Sequence, residues 1–451
     1  MKAQWLSALA VPVVAWAAPA PMQLHWLNTT GAEQSRCMDG SPFGYYFRAA
    51  TNASNSDKWV LELQGGGWCY DEGACYGRTL PSYGGGVFGG SANWTATMGG
   101  YFAEHQDWNR VFLRYCSGAS FTGFREAGHD ASGWPVPGHP GALVPNGTLL
   151  WFRGAANIDE TLAALQRDHG MGRPRPVAEL IVTGSSAGGL ATILNVDRIA
   201  ALAGAEGRTT GLADAGFFKY EANHSVGHYA SSANFTADMG HLFAMVNASG
   251  ALSPACQAAQ AAAGATAVPA PGGAERPPAG AFNCMVAATA VRYVASPLFL
   301  LQSKFDHFQL GAIAALPCMT AMPYAPPWPN ATCSAEEAAQ IALYGDDLEA
   351  ELRGAVAPAA AGAGSAGRRA LFLSACIVHG QVSPDAWAQT RVGGVTPQQA
   401  WAEWYAGGDG GGGRQQNATT WIEECTLPCN ANAQACAPFA PPSNADAYKI
   451  T

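Results

Sequence analysis

The stretch Val177-Ala178-Glu179-Leu180-Ile181-Val182-Thr183-Gly184-Ser185-Ser186-Ala187-Gly188-Gly189-Leu190-Ala191-Thr192-Ile193-Leu194 decides the fold of this chain. An apolar run, a cluster of small residues and a second apolar run read as a strand, a tight turn and a helix. The pattern Gly184-x-Ser186-x-Gly188 puts a serine at the apex of the turn. Its small neighbours let the backbone take the strained bend that exposes the hydroxyl. The helix that follows aims its unpaired N–H groups and positive dipole end at the same point. A carbonyl attacked there meets a nucleophile and part of an anion site together.

Outward from this turn, apolar strands and helical runs alternate, which predicts a mainly parallel sheet covered by helices. Trp59 to Gln64 reads as a strand that ends in Gly65-Gly66-Gly67, and Arg110 to Tyr115 as another. Ile158 to Asp168 is helical in pattern and leads into the serine strand. Leu298 to Gln302 and Leu371 to Ser374 are the fourth and fifth strands. Three low-complexity segments, 258–281, 354–367 and 407–413, carry too few apolar side chains to pack and read as surface insertions. The glycine run in the last has no Lys-Ser/Thr after it, which argues against a phosphate-binding loop. The organisation expected is a signal peptide over 1–20 and a single catalytic domain over 21–451.

The 451 residues suffice for a large core, and 48% apolar with 13% charged residues is a globular composition. The net charge of −9 excludes a general affinity for nucleic acid or anionic membranes. Lys2, the apolar stretch Trp5 to Trp16 and the small residues Ala15 to Ala18 have the layout of a secretory signal. No later run is long and apolar enough to span a bilayer. Sequons at Asn28, Asn52, Asn93, Asn146, Asn223, Asn234, Asn247, Asn330 and Asn417 suit an exported, glycosylated chain. So do the twelve cysteines, an even number that reads as disulfides with a connectivity the sequence leaves open. The oligomeric state is open too.

A serine hydroxyl is a weak nucleophile near neutral pH and needs a base, for which imidazole is suited. A carboxylate must then hold and stabilise the ring. Where a serine turn of this kind is used, acid and histidine follow it in the chain, in that order. Asp306 lies just beyond the fourth strand and His379 just beyond the fifth. Of the other downstream histidines, His307 is the competitor, but neighbours on an extended chain point to opposite faces, which disfavours its pairing with Asp306. The oxyanion formed on attack needs donors already aimed at it. The N–H groups of Gly67, Trp68 and Ala187 are the expected set. His224-x-x-x-His228 with His241, and Cys425-x-x-x-Cys429 with Cys436, have metal-like spacings. The Asn223 sequon and the export signals argue against zinc at either, and no metal or cofactor is expected. The stretch with Phe217, Phe218, Tyr229, Phe235, Met239, Phe243 and Met245 reads either as core or as a cap lining an acyl pocket.

Several ordered motifs together resemble the pectin acetylesterase/Notum carboxylesterases. They are Cys37-Met38-Asp39-Gly40-Ser41-Pro42, Leu63-Gln64-Gly65-Gly66-Gly67-Trp68-Cys69, the segment Asn109 to Phe121, Gly184 to Gly189, and Asp214-Ala215-Gly216-Phe217-Phe218, continued by Asp306 and His379. The resemblance implies an α/β-hydrolase-like fold that needs no metal, a triad of Ser186, Asp306 and His379, and oxyanion donors at Gly67, Trp68 and Ala187. It also implies pairing of Cys37 with Cys116 and of Cys69 with Cys75. Gln64 replaces a common glutamate, and Gly380 stands where plant-type members often carry a second cysteine. The implied activity is that of a secreted serine esterase, extracellular or in the cell wall. It would take acetyl groups from a polysaccharide such as pectin. A Notum-like deacylase of longer chains, or a silent glycosylated binding protein on the same scaffold, are the alternatives.

Overall fold

The computed structural model describes residues 21–27, 35–80, 102–220, 235–264, 280–320, 333–357, 367–407 and 419–425. The expected signal segment 1–20, the sequons at Asn28, Asn93, Asn223, Asn234, Asn330 and Asn417, and His224, His228, Tyr229, Cys429 and Cys436 lie outside these residues. Asn52, Asn146 and Asn247 lie within them and are exposed.

The strands are β1 (Gln23–Trp26), β2 (Gly44–Arg48), β3 (Lys58–Leu63), β4 (Asn109–Leu113), β5 (His129–Asp130), β6 (Leu149–Leu150), β7 (Glu179–Ser185), β8 (Thr209–Asp214), β9 (Leu298–Ser303), β10 (Arg369–Ser374) and β11 (Thr419–Ile422). Nine of them form one sheet in the order β1-β2-β4-β3-β7-β8-β9-β10-β11, and β5 pairs with β6 in a separate ribbon. The β1–β2 and β2–β4 pairings are antiparallel. From β4 through to β11 every pairing is parallel. A parallel strand is buried on both faces, and β4, β9 and β10 are accordingly buried at every residue.

Alternate residues along each strand feed opposite layers. Leu61, Leu63, Leu180, Val182, Leu298, Leu300, Leu371 and Leu373 belong to one cluster. Its helices include α1 (Glu72–Thr79), α2 (Gly154–Asp168), α3 (Ala187–Ala203) and α4 (Phe235–Met245). Val60, Ile181, Leu212, Phe299, Leu301 and Phe372 face the other way, onto Trp387, Trp401 and Trp404 of the helices Pro384–Gln389 and Pro397–Ala406. The result is the mainly parallel sheet flanked by helices that the alternation predicts, in the α/β-hydrolase-like form that the resemblance implies.

The differences from the sequence reading are local. The serine strand runs on to Ser185, because Gly184 and Ser185 keep pairing with β8. The helix expected from Ile158 starts at Gly154. Two insertions pack at their ends. Ala355 and Val356 close the buried face of the helix Ala335–Val356, and Ala281 is buried at the start of a short 3-10 turn. Small apolar residues at the end of an amphipathic pattern are indistinguishable in sequence from the adjoining low-complexity run. Disulfides join Cys37 to Cys116, Cys69 to Cys75, Cys256 to Cys284 and Cys318 to Cys333. The first two are the pairs the resemblance implies. Cys376 and Cys425 are disulfide-bonded as well.

Candidate active site

Ser186 sits between β7 and α3 with φ 61° and ψ −128°. A side chain at positive φ is strained and persists only where its surroundings hold it. Here the Ser186 N–H donates to the Asp214 carbonyl at 2.9 Å, and its own carbonyl accepts from Leu190 at 3.0 Å. The flanking glycines are needed for close approach. A Cβ on Gly188 would lie 2.1 Å from the Leu63 carbonyl oxygen, and one on Gly184 would lie 2.5 Å from it. The same holds opposite, where a Cβ on Gly65 would lie 2.2 Å from the Ser185 carbonyl oxygen and 3.1 Å from Ser186 Cβ. The serine turn and the glycine turn after β3 are therefore in direct backbone contact.

The two downstream residues converge on this turn. His379 Nε2 lies 2.7 Å from Ser186 Oγ, and its Nδ1 lies 2.9 Å from both carboxylate oxygens of Asp306. With Nδ1–H donated to Asp306, Nε2 is left to accept the serine hydroxyl. Asp306 is fully buried. Burial opposes its charge, but the His379 charge and hydrogen bond, with other contacts, hold its carboxyl below the usual carboxylate range. The N–H groups of Phe308 and Gln309 and the Gln302 amide complete its shell at 2.9, 3.2 and 3.1 Å. Burial also opposes the charged form of His379, yet Asp306, by charge and hydrogen bond, and Asp214, by charge, raise its pKa above the ordinary value. His307 packs its ring 5.8 Å from that of His379, and burial pushes it down to about 4. The structure places His379, not His307, between Asp306 and Ser186.

The expected anion donors lie on either side of the nucleophile. Ala187 opens α3. Gly67, at φ +64°, and Trp68 follow Gly65 out of β3. Their orientation is set from behind. Arg78 of α1 donates to the Gly66 carbonyl at 2.8 Å, and the Tyr115 hydroxyl donates to the Gly67 carbonyl at 2.8 Å. A trans peptide is planar, so its N–H points opposite its C=O. Tying back those two carbonyls turns the N–H groups of Gly67 and Trp68 the other way. The Ser120 N–H holds the Tyr115 oxygen, the Trp68 indole donates to Ser120 Oγ, and the Cys69–Cys75 disulfide anchors the turn to α1. Nothing local in the sequence marks Arg78 and Tyr115, whose partners are 12 and 48 positions away, and Gln302 and Gln309, four and three residues from Asp306, are neutral amides that carry no signal of their own. Gln64 is buried and accepts the Tyr115 N–H at 2.8 Å, so this amide serves the same loop.

The aromatic stretch resolves chiefly as core. Phe217, Phe218, Phe235, Met239, Phe243 and Met245 are all buried. Phe218 meets Trp68 edge-on at 4.7 Å, and Phe308 stacks on His379 at 5.1 Å. These rings wall the histidine and limit water around it. His241 bonds Glu72 at 3.1 Å, and His129 bonds the same carboxylate at 2.8 Å. Burial disfavours the Glu72 charge, but the two imidazoles hold its carboxyl down at about 2.

Comparison with known proteins agrees with this architecture. The pectinacetylesterase family profile matches residues 16–434. Pectin acetylesterase 11 of Arabidopsis thaliana is 27% identical over 84% of this chain and 85% of its own length. A palmitoleoyl-protein carboxylesterase NOTUM from Schmidtea mediterranea is 30% identical over 36% of this chain and 28% of its own. The solved structure of the Wnt deacylase Notum from Drosophila superposes with a TM-score of 0.64 at 21% identity, covering 92% of this chain and 99% of that one. The chain belongs to the pectinacetylesterase family, a family of carboxylic ester hydrolases.

Proposed function

We propose that this pectinacetylesterase-family chain is a secreted serine esterase that removes O-acetyl groups from an extracellular polysaccharide such as pectin, with Ser186, His379 and Asp306 as its triad. The observation that carries the reading is the continuous relay from Asp306 through His379 to Ser186 Oγ beside the glycine turn.

Ser186 Oγ attacks the ester carbonyl while His379 Nε2 takes its proton. The tetrahedral oxyanion is received by the N–H groups of Gly67, Trp68 and Ala187, each donor contributing on the order of 3 kcal/mol to the transition state. As the intermediate collapses, the sugar alkoxide leaves and His379 returns the proton to it. Water then attacks the acyl-serine by the same route, giving acetate and free enzyme. Asp306 keeps the imidazole in the tautomer that accepts from serine and stabilises the imidazolium. No step calls for a metal.

Family membership and the near full-length similarity to a pectin acetylesterase support acetyl as the acyl group. The disulfides support an exported protein, and among the described residues no helix is long and apolar enough to cross a membrane. Similarity to NOTUM over about a third of the chain supports a second reading, a deacylase of longer chains. Rates on aryl esters from two to twelve carbons separate the two. The acetylesterase reading expects the highest kcat/KM at two to four carbons, and a maximum at eight or more would reverse the ranking.

A further inference from the structure

We propose that Asp214, at the end of β8, is a positioning residue that fastens the serine turn to the histidine loop and sets the field at His379. The inference rests on the serine-esterase reading. Asp214 touches both the serine turn and the histidine loop. Its main-chain carbonyl accepts the Ser186 N–H at 2.9 Å. Its carboxylate accepts the N–H of Gln381 at 2.8 and 2.9 Å and that of Val382 at 3.3 Å. Gln381 is two residues beyond His379, and the Ser185 hydroxyl bonds the same carboxylate.

The backbone around it leaves no slack. Gly380 has φ +87°, and a Cβ there would lie 2.8 Å from Ser185 Oγ and 3.2 Å from Asp214 Oδ2. A Cβ on Gly189 would lie 2.3 Å from the Asp214 carbonyl oxygen. The Ala215 N–H is bonded to Leu301 of β9 at 2.8 Å, which pins the strand end itself. The serine turn and the histidine loop thus meet at this one side chain, and the main chain beside it ties them to β9.

The carboxylate is wholly buried, and its described hydrogen-bond donors are neutral. A buried charge without a cation costs several kcal/mol, so packing alone gives no reason for it. Burial pushes its carboxyl up to about 6, against the bonds from Ser185 and Gln381 and the charge of His379. When Ser186 gives up its proton, the imidazolium is the cation that this charge faces. The titratable groups around His379 are Asp306 at Nδ1, Asp214 across the Gly380 loop, and the His307 ring at 5.8 Å. Asp214 therefore acts on the base through space and on both loops through hydrogen bonds, touching neither substrate nor the reacting atoms.

The test is the kinetics of Asp214→Asn on an aryl acetate from pH 5 to 9, beside wild type and Ser186→Ala. The expected result is a kcat at least tenfold down with KM within about twofold, since registration and not binding is lost. The acid limb of kcat/KM should also move to lower pH by about half a unit, because an anion near the imidazole is gone. A kcat within twofold of wild type, or an unmoved acid limb, overturns the proposal. If Asp214→Asn does not yield folded protein, Gly380→Ala, whose Cβ presses on Ser185 and Asp214, carries the test. It should lower kcat at unchanged KM, and a wild-type kcat overturns the proposal. Equal activity of wild type and Ser186→Ala would instead sink the esterase reading itself.

Discussion

Only neutral imidazole can take the proton from Ser186, so activity should follow the titration of His379. Burial works against the charged ring, but Asp306 and Asp214 outweigh it and raise the pKa. The acid limb of kcat/KM is therefore expected above the ordinary histidine value of about 6.5. Activity grows as pH rises through that limb. Stability runs the opposite way, since a raised folded pKa adds stability below the unfolded value and loses it as pH climbs through the folded one. A pH–rate profile with its acid midpoint at or below 6 would contradict this account of the ring. At this scale the sequence was legible where chemistry marks a residue type: a serine in a glycine turn, then an acid and a histidine after successive strands. It was silent on Gln302 and Gln309, whose amides hold Asp306, because an uncharged amide, in a strand or in a short helical turn, carries no signal until its partner is in place.

The elements that shape the site are the turn after β3 and the helix α1 behind it. Arg78 and Tyr115 grip successive carbonyls, and planarity of the peptide converts each grip into an aimed N–H on the far side. Tyr115→Phe and Arg78→Ala should lower kcat by about 10- to 100-fold while leaving KM within a few-fold, below the 10²–10³-fold loss typical when a donor itself is removed. Arg78→Lys should recover part of the loss. Steady-state kinetics on a short aryl ester decide it, and a rise in KM at unchanged kcat would mean that the two residues bind substrate instead. Among elements, the buried parallel strands were the easiest to read, since continuous apolar runs such as residues 298–301 have one natural home. β1, with an exposed and intermediate pattern, and β8, whose Thr-Thr-Gly opening dilutes its apolar content, gave no such run. Their places come from pairing with distant neighbours. Helix ends were blurred for a related reason. Gly354 and Ala355, near the end of the helix Ala335–Val356, are chemically the same as the residues of the low-complexity run beyond it.

Across the whole molecule, disulfides staple the chain at very different sequence distances. The Cys37–Cys116 bridge spans 79 positions and the Cys69–Cys75 bridge 6. Chain entropy alone assigns about 4.5 kcal/mol to the first closure and about 2 kcal/mol to the second. Thermal unfolding of the double variants C37S/C116S and C69S/C75S should therefore show the larger loss of Tm in the first pair; equal losses, or the reverse order, would argue against an entropic role. The even cysteine count foretold bridges, but their pattern needed family resemblance, because pairing is a property of the folded sheet and not of spacing. The same dependence holds for the relay, whose members are 193 and 73 positions apart and meet only because parallel strands deliver their C-terminal ends to one edge. Acetate release from acetylated pectin, xylan and related polymers, measured for wild type beside folded Ser186→Ala, is the most direct test of that convergence. Release by wild type and loss of about 10⁴-fold or more in the variant is the expected result; comparable release from both proteins, or none from wild type on any acetylated polymer, would contradict it.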